Sequence, residues 1–420
     1  MYISRLALDH FRSWEQCLLD FAPGITIIYG DNGRGKTNIV EAIEFLSSGM
    51  SHRTHTAKTL IQAGQASAHI RANVVFNDSD QDATDIADQD ESTSADAQTQ
   101  DVTTFSVTLS TRGAHRARVN NGNSQYLRDI IGKVPTVTFA PEDQLLVSSE
   151  PGMRRHFLDA AAVFLVPGYY ELLQRYNHIA KQRVALLKNV ASLRSRMSLS
   201  GENVDMSQVF SGLEIWTNQL VDAGIAITKA RLKVVQALAE PFSRIYRRIA
   251  GERNTADITY AASYEEFIAD ETQAYAAIID HYQRLFEGEV AQARNLIGPH
   301  RDDFSFILNG MNAKEYASNG EMWSLSLALK MALFEVLTRF EEHQPILILD
   351  DVFAQLDNSR RSQIISFAAS LPQVFITVAA KSDVPEELLH ANVHFIDVES
   401  LRAQEKLLTE TPSLSDFLNE

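Results

Sequence analysis

The sequence predicts an α/β domain that is interrupted by an α-helical lobe, and three observations favour this class. The first third of the chain is rich in short stretches with strand character. Residues 153–295 have helical periodicity, and strands and helices alternate again from residue 303 onward. We therefore expect residues 1–152 and 297–420 to form the two parts of one α/β lobe, with residues 153–296 inserted as the helical lobe.

The individual elements follow from alternation, apolar runs and turn residues. The predicted strands are residues 2–8, 25–29, 69–76, 103–110, 115–119, 135–140, 303–308, 345–350, 373–379 and 393–397. The predicted helices of the last part are residues 321–340 and 358–370. In the helical lobe, seven apolar residues recur at alternating steps of three and four: Leu213, Trp216, Leu220, Ala223, Ile227, Ala230 and Val234. This seam spans only about three heptads, which favours a packed helical hairpin over a long coiled-coil arm.

The composition restricts the location of the protein. Hydrophobic residues make up 45% of the 420 residues, enough for a substantial core. The first residues have neither the basic segment nor the apolar stretch of a signal peptide, and no apolar run approaches the roughly 18 residues of a membrane span. The single cysteine, Cys17, excludes an internal disulfide. The sequence thus predicts a cytoplasmic protein.

The charge is unevenly distributed along the chain, although the formal net charge is −16. Nine carboxylates and no basic residue lie between Asp78 and Asp101, and we expect residues 77–102 to form a disordered acidic loop between two strands. From Pro151 to Arg253 there are 15 Lys and Arg against 8 Asp and Glu. A nucleic acid partner is therefore not excluded by the net charge.

A phosphate-binding loop is predicted by the stretch "GDNGRGKTN", which fits the pattern of Gly, four residues, Gly-Lys-Ser/Thr. A predicted strand precedes it and a stretch of helical spacing follows, which is the arrangement of an anion site at a helix N-terminus. Lys36 is expected on the β- and γ-phosphates and Thr37 on Mg²⁺. The candidate nucleotide-binding residues are Gly30, Asp31, Asn32, Gly33, Arg34, Gly35, Lys36, Thr37 and Asn38.

Two adjacent aspartates end a predicted buried strand in "PILILDDVFAQLD". A buried carboxylate is costly unless it is paired or binds a cation. In P-loop NTPases, a strand parallel to the P-loop strand ends in the acid that holds magnesium, and we assign this role to Asp350. Asp351 is predicted to be catalytic, orienting a water molecule for attack on the γ-phosphate.

A helix start is predicted at "ASNGE", where Ser318 and Glu321 form a capping box. Lys36 and Asp350 are separated by most of the chain and no Asn-Lys-x-Asp guanine-binding motif is present, which argues against simple GTPases and kinases.

The motifs taken together resemble the RecF family of bacterial DNA replication and repair proteins. The resemblance rests on "LDHFRSW", "GDNGRGKTNIVEAIEFLSSGMSHR", "TFAPEDQLLVSSEPGMRRHFLD", "IGPHRDDF", "SNGEMWSLSLALKMA" and "LILDDVFAQLD", in this order across nearly the whole chain. It implies an ABC-type P-loop ATPase head like those of Rad50 and SMC proteins, with the helical lobe in place of a long arm. Ser318, Gly320 and Glu321 match the signature segment, which in ABC-type heads reaches the γ-phosphate held by a second subunit. Asp357 matches the loop that crosses the dimer interface.

The resemblance also implies a function. It implies a homodimer that forms on binding ATP and Mg²⁺, binds DNA at single-stranded/double-stranded junctions, and acts with RecO and RecR to promote RecA loading at single-strand gaps. DNA repair, replication-fork recovery and the SOS response belong to this role, with weak DNA-stimulated ATP hydrolysis as a switch. Two features depart from the family pattern, Met322-Trp323 in the signature and the acidic loop 77–102.

The predicted DNA contacts are basic residues of the helical lobe, which would bind phosphates without reading bases. They are Arg154, Arg155, Lys181, Arg183, Arg247 and Arg248. An ordinary solvated helix face is the alternative for these residues. For the whole chain, the alternative function is an SMC-like structural ATPase that bridges DNA, although bridging needs hundreds of heptad residues and this chain has few.

Overall fold

The computed structural model describes residues 1–54, 56–76, 101–200, 207–340, 343–353, 356–385, 388 and 393–409. Among these residues the chain divides into two compact units, Met1–Pro141 with Leu337–Glu420, and Glu142–Val336. No helix in these ranges is long and apolar enough to cross a membrane.

The first unit contains a five-stranded parallel sheet with the order β14-β3-β13-β12-β8. Its strands are β3 (Gly24–Tyr29), β8 (Thr136–Phe139), β12 (Ile346–Asp350), β13 (Gln373–Val378) and β14 (Val393–Asp397). Every residue of β12 and β13 is buried, as expected for parallel strands with both faces covered. In the register of these two strands Asp350 lies beside Thr377. Strand β13 therefore separates the strand before the glycine-rich loop, β3, from the strand that ends in Asp350.

Helix α1 (Lys36–Ser48) follows the glycine-rich loop directly. Its apolar residues Ile39, Ala42, Ile43 and Leu46 are all buried, which confirms the predicted helical spacing. Gly49 ends the helix with φ of +68°, a conformation that glycine adopts without strain, and donates its N–H to the carbonyl of Phe45.

The first unit also contains a six-stranded antiparallel sheet with the order β2-β1-β4-β5-β6-β7. Its strands are β1 (Tyr2–Phe11), β2 (Trp14–Asp20), β4 (Ser67–Phe76), β5 (Asp101–Ser110), β6 (Arg116–Val119) and β7 (Gln125–Tyr126). Strands β4 and β5 pair along their full lengths, up to Phe76 opposite Asp101. Asp101 and Val102 thus belong to β5, and the remainder of the predicted acidic loop, residues 77–100, lies outside the described residues.

Three further helices complete the description of this unit. They are the C-terminal end of α9 (Asn319–Phe340), α10 (Asn358–Ala368) and α11 (Val398–Thr409). The border between the units falls within α9, after Val336.

The second unit is mainly helical. Its helices, besides the start of α9, are α2 (Leu145–Ser148), α3 (Pro151–Leu165), α4 (Tyr169–Ser200), α5 (Ser207–Ala250), α6 (Glu265–Ala269), α7 (Ala274–Gln292) and α8 (Ala313–Tyr316). Helices α4 and α5 pack against each other, which confirms the predicted hairpin, and six of the seven seam residues are buried, Trp216 being half-buried.

The second unit also contains a three-stranded antiparallel sheet of β9 (Ala256–Ala261), β10 (Asp303–Leu308) and β11 (Met311–Asn312). Strand β9 lies in the stretch predicted to be helical. It pairs with β10, more than forty residues later along the chain, and local periodicity does not report such a pairing. This pairing joins β10 to the mainly helical unit. The unit border therefore differs from the predicted lobe border at residues 296/297.

Candidate nucleotide-binding site

The glycine-rich loop connects the C-terminal end of β3 with the N-terminus of α1. Gly30, Gly33 and Gly35 have φ angles of +145°, +79° and +108°. At Gly35 a β-carbon would lie 2.8 Å from Nε1 of Trp14, so this position requires glycine for space as well as for conformation. The loop curls in front of the helix N-terminus, where backbone N–H groups and the helix dipole favour an anion.

Lys36 is buried and folds back over the loop. Its ammonium donates to the carbonyl oxygens of Gly30 and Asp31, the latter at 3.1 Å, and to Oδ1 of Asn32 at 3.3 Å. Burial lowers the pKa of Lys36, and the carboxylates of Asp351, Asp350 and Asp31 oppose this change. The lysine therefore lies in the field of both predicted acids.

Asp350 is buried at the end of β12 and is held by three side chains. Its Oδ1 accepts hydrogen bonds from the hydroxyls of Thr37 at 3.1 Å and Thr377 at 2.5 Å. Its Oδ2 lies 3.7 Å from Nε2 of His52. Burial raises the pKa of Asp350, whereas the hydrogen bonds and His52 lower it. The fold thus brings together Thr37 and Asp350, which the sequence predicted to share a metal ion.

Asp351 leaves the direction of the strand, because its φ is +53°. Aspartate tolerates this left-handed conformation better than most residues. Its backbone N–H donates to the carbonyl of Thr377 at 3.2 Å and to the hydroxyl of the same residue at 2.9 Å. The two adjacent acids are therefore presented in different directions.

Thr377 and His52 are residues that sequence reasoning missed. Thr377 lies near the end of a predicted strand, and a polar residue there was the only available signal, since the sheet order that places it beside Asp350 was not predicted. His52 follows α1, and its Nδ1 lies 2.6 Å from Oε2 of Glu44 on that helix.

The remaining residues of the predicted loop have individual partners. Asn38 donates to the hydroxyl of Ser13 at 2.9 Å, and its Oδ1 accepts from Arg53 at 3.1 Å. The guanidinium of Arg34 forms an exposed ion pair of 2.8 Å with Glu399 on α11.

The predicted signature residues lie in the second compact unit. Ser318 is exposed, and its N–H and hydroxyl donate to Oε2 of Glu321 at 2.8 and 2.7 Å, while the Glu321 N–H donates to the serine hydroxyl at 3.3 Å. These bonds confirm the capping box, and the two that the Glu321 carboxylate accepts lower its pKa. Gly320 lies in the first turn of α9. Asp357, from the loop after β12, caps α10 by accepting from the N–H of Arg360 at 2.9 Å.

Two of the predicted DNA contacts are wrong, because these side chains are buried and paired. Arg154 is 4% exposed and forms bonds of 2.6 and 2.9 Å with the carboxylate of Asp303. Arg183 is 1% exposed and forms a 2.6 Å bond with Glu289. A charge neutralised in this way is not available to a phosphate.

The other predicted contacts differ in exposure. Arg155 is half-buried and donates to the carbonyl of Asp302 at 2.9 Å. Lys181, Arg247 and Arg248 are exposed. These three remain available for a phosphate contact.

A basic groove of about 570 Å³ on the six-stranded sheet was not predicted. Its lining includes Arg71, Arg116 and Arg118, the last two of them exposed. The guanidinium of Arg116 lies 4.4 Å from the ring centroid of the exposed Tyr126. The signal for this groove is the alternation of basic residues in "HRARV", which places both arginines on one face of the strand.

A parallel sheet with a glycine-rich loop, a lysine at the start of α1 and a buried acid on β12 defines an ABC-type P-loop ATPase head with an inserted helical lobe. The family model described as "RecF/RecN/SMC N terminal domain" matches residues 2–400. On this match and on the relatives below, the chain belongs to the RecF family.

Curated relatives share the name "DNA replication and repair protein RecF". The protein of Bifidobacterium adolescentis is 50% identical over 96% of this chain and 93% of its own length. The protein of Bifidobacterium longum subsp. infantis is 49% identical over 99% of this chain and 94% of its own length. A solved structure described as the recombination mediator protein RecF-ATP in the RecFOR pathway is 27% identical, with a TM-score of 0.74 over 91% of this chain and 93% of that chain.

Proposed function

We propose that this protein is an ATP-dependent, DNA-binding recombination mediator. The observation that carries the proposal is the convergence of Lys36, Thr37 and Asp350 at one end of the parallel sheet, in a chain of the RecF family. Similar proteins are named for DNA replication and repair, and a similar solved structure is described with ATP.

The residues at this end of the sheet fit ATP and Mg²⁺. The loop from Gly30 to Gly35 and the N-terminus of α1 would cradle the phosphates, and Lys36 would exchange the loop carbonyls it now binds for more strongly charged phosphate oxygens. The hydroxyl of Thr37 and the carboxylate of Asp350, 3.1 Å apart, are the hard oxygen ligands that Mg²⁺ prefers. When bound, Mg²⁺ would neutralise phosphate charge.

Asp351 is the proposed catalytic residue. Its carboxylate is not constrained to the direction of the strand, and its N–H is fixed by Thr377. A carboxylate held near the γ-phosphate would orient a water molecule and accept its proton. We expect hydrolysis to be weak and to be stimulated by DNA.

The signature residues are proposed to contact the nucleotide that is bound to a second copy of the chain. These residues are Ser318, Gly320 and Glu321. Ser318 is exposed at the N-terminus of the 22-residue helix α9, so backbone N–H groups and the helix dipole favour an anion beside it. A phosphate bound to the partner chain would be that anion, and ATP would then favour a homodimer.

DNA is the proposed macromolecular partner, and exposed basic residues support it. Lys181, Arg247 and Arg248 remain from the predicted set, and the basic groove with Arg116 and Arg118 adds a second cationic surface, with Tyr126 beside Arg116. Such contacts would give salt-dependent affinity without base reading. Action with RecO and RecR in RecA loading at gaps, in the SOS response and in the cytoplasm, completes the proposal.

The alternative, an SMC-like structural ATPase that bridges DNA, is not supported by the helical hairpin. The longer of its two helices, α5, has 44 residues, which is a length of roughly 65 Å. Bridging of distant DNA segments requires arms several times longer.

The test measures DNA affinity with and without ATP for gapped, single-stranded and duplex DNA. We expect ATP to increase affinity for gapped DNA in the parent protein but not in Lys36→Ala, because no water molecule replaces a fixed cation beside the phosphates. Calorimetry should show no ATP binding by this variant. Normal ATP binding by Lys36→Ala would refute the nucleotide site, and equal DNA affinity with and without ATP would refute the switch.

A further inference from the structure

The back of the glycine-rich loop is held by the C-terminal helix α11 and by Trp14. The guanidinium of Arg402 donates from Nε and Nη2 to the carbonyl oxygen of Arg34 at 3.0 and 2.8 Å. The indole N–H of Trp14 donates to the next carbonyl, that of Gly35, at 3.1 Å. Side chains that lie outside the motif therefore bind two successive carbonyl groups of the loop, and the carbonyl of Gly35 also accepts from the N–H of Ile39 in α1 at 3.3 Å.

These two hydrogen-bonding residues are themselves held in place. The guanidinium carbon of Arg402 lies 3.6 Å from the ring centroid of the fully buried Trp14, which is stacking with cation–π character. Arg402 also donates to the Ser13 carbonyl at 3.1 Å and to Glu405 at 2.7 Å. Glu405 in turn accepts from the backbone N–H of Glu15 at 2.7 Å. Arg402 and Trp14, which we call the brace, therefore connect α11, the turn before β2 and the loop.

The consequence for the loop follows from the planarity of the peptide bond. In a trans peptide the N–H points opposite to the C=O of the same unit. Fixing the carbonyl of Arg34 toward α11 therefore fixes the N–H of Gly35 in the opposite direction. Fixing the carbonyl of Gly35 toward Trp14 does the same for the N–H of Lys36. These are N–H groups at the loop–helix junction where an anion binds.

The brace also fits closely against Gly35. A β-carbon at this position would lie 2.8 Å from Nε1 of Trp14 and 2.9 Å from Nη2 of Arg402. The exposed ion pair of Arg34 with Glu399 joins the same helix to the same loop through a side chain. It leaves the carbonyl groups untouched and provides an internal comparison.

We propose that Arg402 and Trp14 are positioning residues that orient the N–H groups of Gly35 and Lys36 toward the phosphates of a bound nucleotide. The proposal rests on the proposed ATP site. It assigns to the C-terminal helix a direct part in nucleotide binding, through backbone orientation and not through contact with the ligand.

The test uses the full chain with ADP and ATP as probes. Arg402→Ala removes the brace, Arg402→Lys keeps the charge but lacks the planar fork, and Trp14→Phe keeps a ring but lacks the indole N–H. Glu399→Gln is the matched control, since it removes the charge from a different contact of α11 with the loop, the ion pair with Arg34. Calorimetry gives the affinities, and thermal unfolding without nucleotide reports the integrity of the fold.

We expect Arg402→Ala and Arg402→Lys to bind ADP roughly tenfold or more weakly, Trp14→Phe a few-fold more weakly, and Glu399→Gln as the parent does. The ³¹P resonance of the β-phosphate of bound ADP should shift in the Arg402 and Trp14 variants, because it reports the N–H groups that surround it. A merely structural role would leave this resonance unchanged.

Three results would overturn the proposal. One is parent-like ADP affinity in Arg402→Lys together with weak binding in Arg402→Ala, since the charge alone would then explain the effect. Another is weakening in Glu399→Gln equal to that in Arg402→Ala, which would indicate docking of α11 in general. The third is an unchanged ³¹P resonance. Absence of ADP and ATP binding by the parent would instead refute the proposed ATP site.

Discussion

The hydroxyl of Thr377 donates a hydrogen bond of 2.5 Å to Oδ1 of Asp350, across two adjacent parallel strands. The same hydroxyl oxygen accepts from the N–H of Asp351 at 2.9 Å. One side chain on β13 therefore fixes both acids at the end of β12. The position of the proposed metal ligand and that of the proposed catalytic residue depend on it.

Thr377→Val should impair hydrolysis more than ATP binding, because both acids lose a partner while the phosphate loop is unchanged. The N–H of Asp351, a half-buried residue, loses its 2.9 Å bond to the hydroxyl and keeps its 3.2 Å bond to the Thr377 carbonyl, so the unfolding free energy should fall by about 1–2 kcal/mol. Steady-state ATPase assays, calorimetry and denaturant unfolding provide the three measurements. Thr26→Val is the matched control, since the buried hydroxyl of Thr26 has no hydrogen-bond partner among the described residues. An equal loss of ATPase activity and of stability in Thr377→Val and Thr26→Val would contradict the role of Thr377.

Asp350→Asn should stabilise the protein without nucleotide and Mg²⁺ while abolishing Mg²⁺-dependent ATP binding. Burial raises the pKa of Asp350, so the fold disfavours its charged form. The amide oxygen of the asparagine in the variant can still accept from Thr37 and Thr377. We expect the unfolding free energy of the variant to exceed that of the parent by roughly 1 kcal/mol at neutral pH. His52 lowers and Asp351 raises the pKa of this carboxylate, and Lys36 lies in the field of both acids.

The sign of the pH effect follows from that raised pKa. As the pH falls through the folded-state pKa toward the unfolded-state value, Asp350 of the native parent takes up a proton. The parent then no longer bears the free-energy cost of a buried charge at this position. The stability difference between variant and parent should therefore shrink on acidification from neutral pH. Denaturant unfolding at several pH values measures it, and a constant or growing difference would contradict the prediction.

Asp351→Asn should retain ATP and Mg²⁺ yet hydrolyse slowly, since an amide neither accepts a proton from water nor orients it as well as a carboxylate. The species that accumulates with ATP should be a dimer. Single-turnover kinetics and light scattering test this. Parent-like turnover would show that Asp351 is structural and that the base lies elsewhere.

Ser318→Arg should block dimer formation with ATP while leaving nucleotide binding and the fold nearly intact. The serine acts within its own chain as a helix cap, worth about 1 kcal/mol. Sedimentation velocity with ATP and with ADP measures the oligomeric state. Ser318→Ala is the comparison, because it removes the hydroxyl without adding bulk and should weaken the ATP-dependent dimer much less than Ser318→Arg does. An unaffected Ser318→Arg dimer, or a parent that stays monomeric with ATP, would reduce the motif to a capping box.

Local sequence patterns predicted the elements of the site because each depends on residues close together in the chain. The glycine-rich loop, the start of α1 and the buried run of β12 are each specified within about a dozen residues. Strand β9 was missed because it is stable only when paired with β10, which follows after helices α6 and α7.

Charge patterns in the sequence do not predict which basic residues are exposed in the structure. Lys181 and Arg183 are two residues apart, yet the first is exposed and the second is buried against Glu289 on another helix. No count of basic residues distinguishes them, because burial depends on which helix face meets the partner helix and which acid that partner carries.

The sequence by itself determined the family, the phosphate-binding loop and the two acids at the end of β12. Only the tertiary structure decided that β13 lies between the two motif strands, so that Thr377 meets Asp350, and that Arg402 on the last described helix meets the carbonyl of Arg34. The physical reason is the range of the interactions. A loop or a strand is specified by its neighbours in the chain, whereas side chains hundreds of residues apart meet only where the sheet order and helix packing place them.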